Sequence, residues 1–349
     1  MSSVAQPFEP TRPFQPVEPL DTNGPPGAAE PLDHADPLDP DGPRDPFVHP
    51  ALFYGDEREY LAGTVSFVRE GLRAGDPVAV AVPGDNLALI RDALGADADA
   101  VRLLDMTEAG RNPGRIIPGV LRAFADAQPS GRRVRIIGEP IWAGRSDTEY
   151  PACVQHEALI NAAFTGRTVS ILCPYDTRRL APQVIADAYA THPTVIHGGT
   201  GPGAGSEAYD PDGVVARYNE PLALVEDVPA FAFDAESLSH ARHVATDVAA
   251  QLGLTGVRLQ DLALVTAELT TNSVVHGGGS GALRVWAQDG NVLCEVRDKG
   301  RLTDPLAGRR PASRDQRGGR GLLMVNLVSD LVRVHMGADG TTVRCWFAL

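Results

Sequence analysis

VTAELTTNSVVHGG, Val265–Gly278, opens as an apolar helix and closes on a glycine run, and it carries Glu268 and Asn272 four residues apart. Leu259 and Leu262 extend the spacing upstream of Val265 and Leu269. The segment from Val257 to about Val275 therefore reads as a helix with one packed face. Residues four apart point within about 40° of one another around a helix, so Glu268 and Asn272 reach one small volume beside the core. A carboxylate and an amide at that spacing are common on solvated helices, and the segment alone assigns them no chemistry.

Two later segments change its meaning. In NVLCEVRDKG, Asn291–Gly300, an alternating strand runs into Asp298-Lys299-Gly300. This places an acceptor carboxylate at a strand end, followed by a glycine that lets backbone approach a flat ligand. In QRGGRGLLMVNLVSD, Gln316–Asp330, Gly318, Gly319 and Gly321 precede an apolar helix starting near Leu322. Successive glycine amides at a helix start form an anion site that needs no lysine. GTTVRCWFAL closes the chain as a strand, with Thr342 expected to face the same pocket.

In this order and spacing the segments resemble the N, G1 and G2 boxes of the GHKL ATPase family, and most closely its RsbW-type anti-sigma factors, which are serine protein kinases. The resemblance covers roughly Val228–Leu349 and implies a GHKL (Bergerat) α/β sandwich with a mixed sheet. It implies an ATP site in which Asn272 coordinates Mg2+, Asp298 accepts the adenine amino group and Gly300 lines the base pocket. Gly319, Arg320, Gly321 and Leu322 supply the lid and phosphate contacts, and Thr342 supports adenine from the last strand. Glu268 is then the general base, because phosphoryl transfer needs an acceptor hydroxyl that is positioned and deprotonated. The partners implied are a sigma factor and an anti-anti-sigma STAS-domain protein, and a homodimer is common among such proteins.

The GHKL family also contains sensor histidine kinases, which present His followed by an acidic residue on a dimerising helix. His156-Glu157 matches that dipeptide but lies inside an apparent βα unit, and His240 and His243 fall on the first helix of the ATPase segment. HExxH is absent, since Ile160 occupies its last position. The glutamate in Glu-x-x-x-Asn, the short lid and the compact domain favour transfer to serine or threonine on another protein. A histidine kinase and a catalytically silent ATP-dependent binding switch stand as alternatives.

Ahead of this lies an alternation of apolar strands and amphipathic helices. PVAVAVP (Pro77–Pro83), VRLLDM, RVRIIGEPIW and TVSILCPYD read as strands, and NLALIRDAL, PGRIIPGVLRAFADA and Tyr150–Phe164 as helices. That alternation implies βαβ units and a parallel sheet covered on both faces, with ligand sites at the carboxyl ends of strands. Residues 47–197 resemble a MEDS domain, a sensory module related in fold to RecA and KaiC proteins. The resemblance rests on His49, Phe53-Tyr54-Gly55, Gly138-Glu139-Pro140-Ile141-Trp142, Cys173-Pro174-Tyr175-Asp176 and His192-Pro193. Tyr54, Glu139, Trp142, Tyr175 and Asp176 are candidates to line a polar-aromatic pocket for a small-molecule signal. Residues 198–227, rich in Gly and Pro, read as a flexible linker to a second domain at 228–349.

At 349 residues with a net charge of −14, the chain is long enough for two cores and too acidic for nonspecific binding to nucleic acid or anionic membranes. Residues 1–46 hold nine Asp or Glu against two Arg and repeat Pro-Leu-Asp three times, which reads as a disordered acidic tail. No signal peptide or spanning run is apparent, so a cytoplasmic location is expected. Lys299 is the one lysine, and it is followed by Gly300, which excludes a Walker A loop. Cys153, Cys173, Cys294 and Cys345 show no CxxC spacing and read as small buried hydrophobes.

Overall fold

The apolar run Val169–Asp176 sits at the centre of one sheet and the alternating run Asn291–Asp298 at the centre of another. The computed structural model describes residues 46–349 except 130, 200, 202, 226 and 313–318. The acidic segment read as a tail (1–46) lies almost wholly outside the described residues, as does Gly318.

The first lobe runs β1 (Pro50–Tyr54), α1 (Glu57–Ala74), β2 (Val78–Val82), α2 (Gly84–Leu94), β3 (Val101–Asp105), α3 (Met106–Ala109), α4 (Arg122–Asp126), β4 (Val134–Gly138), α5 (Tyr150–Phe164), β5 (Val169–Asp176), α6 (Pro182–Thr191) and β6 (Thr194–His197). Its sheet order is β3-β2-β4-β5-β1-β6, and every one of these pairs is parallel. Helices cover both faces, so the strands are apolar on both sides: Leu52 and Val80 pack on one face, Phe53 and Ala81 on the other. α1 begins where Asp56 accepts the Glu59 N–H and ends at Gly75, in the left-handed conformation with φ 73°.

Two expectations fail in this lobe. The stretch PGRIIPGVLRAFADA is not one helix. It forms a short 3-10 turn at Pro113–Arg115, a π-helical turn at Ile117–Leu121 and then α4. Pro118 has no N–H to give a regular α ladder. Part of the expected linker forms regular elements: β7 (Ala204–Gly205) adds antiparallel to β6, and α7 (Pro211–Arg217) packs on α5 with Val214 and Tyr218 buried. Asp210 caps α7 by accepting the Gly213 N–H, and the Tyr218 hydroxyl donates to buried Asp187.

The second lobe comprises β8 (Phe231–Asp234), α8 (Leu238–Gln251), α9 (Gly256–His276), β9 (Ser280–Gln288), β10 (Asn291–Asp298), α10 (Gly321–Val328), β11 (Leu331–Gly337) and β12 (Gly340–Ala348). The sheet order is β11-β12-β10-β9-β8, and all four pairings are antiparallel rather than mixed. β9 and β10 join through Asp289-Gly290, both at positive φ, the two-residue turn that matches the twist of a hairpin. Helices α8, α9 and α10 cover one face, with Ala245, Leu262, Leu269, Val296 and Phe347 buried between the layers.

The two lobes lie within one compact unit, Asp45–Leu349. Asn112 donates to the Asn326 carbonyl at 2.8 Å, and Arg111 pairs with Asp330 at 2.6 Å. Asn219 donates to the Met336 carbonyl and accepts from its N–H, both at 2.8 Å. Among the described residues no helix is long and apolar enough to cross a membrane.

Candidate functional site

A cavity of about 660 Å³ opens between α9, the end of β10, the start of α10 and the segment 301–312. Its floor is apolar, from Leu269, Val296 and Val343, all buried. Asp298 stands at one end. Its Oδ2 accepts the Ser273 hydroxyl at 2.6 Å and its Oδ1 accepts the Gly300 N–H at 2.8 Å. A carboxylate has about four lone-pair sites, so the group is held rigidly and keeps acceptor capacity for a ligand.

The backbone around it leaves no room for side chains. A Cβ on Gly300 would lie 2.6 Å from the Gly277 Cα and 2.7 Å from the His276 carbonyl. The two glycines thus let the end of α9 and the end of β10 meet, and the Lys299 N–H donates to the Gly277 carbonyl at 3.1 Å. The Thr341 hydroxyl donates to the Gly300 carbonyl at 2.8 Å, tying the start of β12 to the same corner.

At the other end α10 begins against α9. A Cβ on Gly321 would sit 2.5 Å from Glu268 Oε2 and 3.4 Å from Asn272 Nδ2. Gly321 therefore brings both polar groups of α9 against the first turn of α10, whose N-terminal residue Arg320 provides no side-chain cap. Uncapped amides and the positive end of the helix favour an anion there. Asn272, Asp298, Gly300, Gly319, Arg320, Gly321 and Leu322 all line the cavity, and Glu268 lies beside it through Gly321.

Thr342 does not. Thr341 and Val343 face the cavity, and strand alternation turns Thr342, buried opposite His335, to the far side of the sheet. The last strand lines the cavity through Thr341, one residue before Thr342.

The candidate pocket of the first lobe is divided by its own sheet. Phe53 pairs with Tyr175 and Tyr54 with Asp176, so Tyr175 and Tyr54 lie on opposite faces. Tyr54 packs on Tyr60 with ring centroids 4.8 Å apart and planes tilted by 55°, and the Tyr60 hydroxyl and Asn86 amide donate to buried Glu139 at 3.2 and 2.9 Å. Burial lifts the Glu139 carboxyl to about 8 against the opposing pull of these donors. Asp176 instead accepts the Arg178 and Arg179 N–H groups at the end of β5. Trp142 packs on the other face with Arg145 stacked 3.9 Å over its ring, and Tyr175 is buried there against Phe53 and His192. These five residues do not share one pocket.

Three features lay beyond sequence reasoning. Ser273 follows directly from Asn272 and holds Asp298, which helical spacing toward the β10 end could have indicated. The segment 301–312 lines the cavity, yet its Leu306 is buried in the core of the first lobe. In that lobe His49, Glu157, Cys173 and His192 converge, all buried, with their ligand-type atoms within 4.8 Å of one another. Those four come from distant segments and leave no local spacing. Of the histidines weighed as phosphoacceptors, His156 is buried, and His240 and His243 are exposed on α8.

The geometry agrees with the comparisons. Residues 231–347 match the histidine kinase-like ATPase domain, and residues 48–193 match MEDS, the methanogen/methylotroph, DcmR sensory domain. The chain thus joins a MEDS domain to a GHKL-like ATPase domain. It is similar to the serine-protein kinase RsbW of Halalkalibacterium halodurans, 27% identical over 139 residues that cover 36% of this chain and 83% of the relative.

Proposed function

We propose that the second lobe binds ATP with Mg2+ and transfers the γ-phosphoryl group to a serine or threonine of an anti-anti-sigma STAS-domain protein. In this reading it also holds a sigma factor, released according to the phosphorylation state of the STAS partner. The observation that carries the reading is the pairing of Glu268 and Asn272 against Gly321 at one end of a cavity whose other end is the anchored carboxylate of Asp298.

Asp298 would accept the adenine amino group, since its remaining lone pairs face the cavity. The apolar floor takes the flat base, and the first amides of α10 take phosphate oxygens. Asn272 would hold Mg2+, which when bound would supply positive charge at the phosphates. Glu268 orients the acceptor hydroxyl and takes its proton as the new O–P bond forms and the bond to the ADP oxygen breaks. Sensory control by the first lobe is supported by the segment 301–312, which lines the nucleotide cavity while burying Leu306 in the first lobe.

The test is incubation of the full chain with labelled ATP, Mg2+ and candidate STAS proteins. Acid-stable label on the partner is the expected outcome. Acid-labile label on the chain itself would replace the reading with a histidine kinase, and ATP binding without any label would reduce it to a binding switch.

A further inference from the structure

His49, just before β1, Glu157 on α5, Cys173 in β5 and His192 at the end of α6 converge in the first lobe with their side chains out of reach of solvent. The hydrogen bonds behind the two histidines define what faces the centre. The Asn161 amide donates to the Thr191 carbonyl at 2.8 Å, so its oxygen faces His49 and accepts from His49 Nδ1–H at 3.1 Å. His192 Nδ1 lies 2.9 Å from the Ala188 carbonyl, which can only accept. Both rings therefore carry hydrogen on Nδ1, and in the neutral imidazole both Nε2 atoms present bare lone pairs.

Those lone pairs lie close to another acceptor. His49 Nε2 and His192 Nε2 lie 3.4 and 3.3 Å from Glu157 Oε2, and Cys173 Sγ lies 3.4 Å from His49 Nε2. Neither Glu157 oxygen nor His192 Nε2 has a hydrogen-bond partner among the described residues. A buried carboxylate facing two bare nitrogens is costly unless something positive stands between them.

We infer that these four side chains form a closed, zinc-type metal site. A tetrahedron with bonds of about 2.0–2.3 Å has edges of roughly 3.3–3.8 Å; His49–Glu157, His192–Glu157 and Cys173–His49 stand at 3.3–3.4 Å, and all four ligand atoms lie within 4.8 Å of one another. Each histidine donates its other ring N–H to an oxygen, the supporting arrangement that orients metal-bound imidazole. Thiolate and carboxylate together balance a divalent charge, which suits an apolar interior, and a sulfur ligand favours zinc over magnesium or calcium. Four protein ligands leave no open position, so the site is structural and ties four segments of the sheet and its helices together. Because the ligands are buried, the ion enters as the chain folds.

The full chain is produced in zinc-supplemented and, separately, cobalt-supplemented medium, and its metal content is measured after exhaustive dialysis. The expected result is about one zinc per chain, and with cobalt a thiolate-to-metal charge-transfer band of a tetrahedral site. Cys173→Ser should lose that band and His192→Ala most of the metal, while Cys153→Ser, a buried cysteine outside the cluster, retains both. Wild-type protein with less than about a tenth of an equivalent of either metal would overturn the site, whatever the folding of the variants. So would metal content unchanged in both Cys173→Ser and His192→Ala.

Discussion

Asp298→Asn separates ligand recognition from folding more cleanly than any other substitution in the cavity. The Gly300 N–H at 2.8 Å requires an oxygen, so the asparagine keeps its carbonyl there and turns its NH2 toward Ser273. The Ser273 hydroxyl also lies 3.0 Å from the Leu269 carbonyl, so it can donate there and accept from the new amide. Every internal hydrogen bond thus has a replacement, and unfolding midpoints should move little. Under the proposed function the ligand side has none, because an NH2 group would then face the adenine amino group. Losing a charge-assisted hydrogen bond costs about 1.5–3 kcal/mol, which weakens ATP binding roughly 10- to 150-fold. The NH2 group can instead donate to a purine 6-oxo group, so the ratio of ITP to ATP affinity should rise. Calorimetric titration of wild type and variant with both nucleotides measures this. Unchanged ATP affinity in a folded variant would refute the assignment of Asp298 to the base.

Further outcomes follow from the same geometry. Glu268→Gln keeps the shape beside Gly321 but not the base, so phosphotransfer to a STAS substrate should fall by about 10²- to 10⁴-fold while ATP affinity changes only a few-fold. Leu306→Ala leaves a void in the first-lobe core and should cost about 2–5 kcal/mol in denaturant unfolding, against less than about 1.5 for Leu306→Met. Glu139, raised by burial from 4.5 to about 8, binds its proton in the folded chain where the unfolded chain has released it. Its contribution is therefore complete below about pH 4.5 and lost as pH rises through about 8. That loss is on the order of 5 kcal/mol at most, and Glu139→Gln should flatten the decline. Equal pH slopes in denaturant midpoints of the two proteins would contradict it.

The sequence was most legible where periodicity and punctuation agree. The helix read over Tyr150–Phe164 is α5, and the apolar spacing from Leu259 to Leu269 marks the buried face of α9. The boxes around Asp298 and Gly321 meet at one cavity because glycines let the backbones touch, and glycine is visible in a sequence. Errors arose where one residue decides a face. Thr342 against Thr341, and Tyr54 against Tyr175, are questions of strand parity, and parity depends on pairing register rather than composition. The Gly- and Pro-rich stretch after His197 looked unstructured, yet Asp210 caps α7 and Val214 finds a buried place on α5. Tertiary packing supplied what local propensity lacked. The histidine, glutamate and cysteine cluster was illegible for the same reason, since its members are brought together only by the sheet.

Segment 301–312 belongs to two surroundings at once, the cavity between α9 and α10 and, through Leu306, the interior of the first lobe. Such sharing makes any influence reciprocal. A ligand of the first lobe that alters the packing around Leu306 and thereby changes nucleotide affinity by some factor must itself be bound more tightly or weakly, by that same factor, when nucleotide is present. Under the proposed function, the cell's ATP level would then set the threshold at which a first-lobe ligand is read, making the chain a comparator of two concentrations rather than a receiver of one.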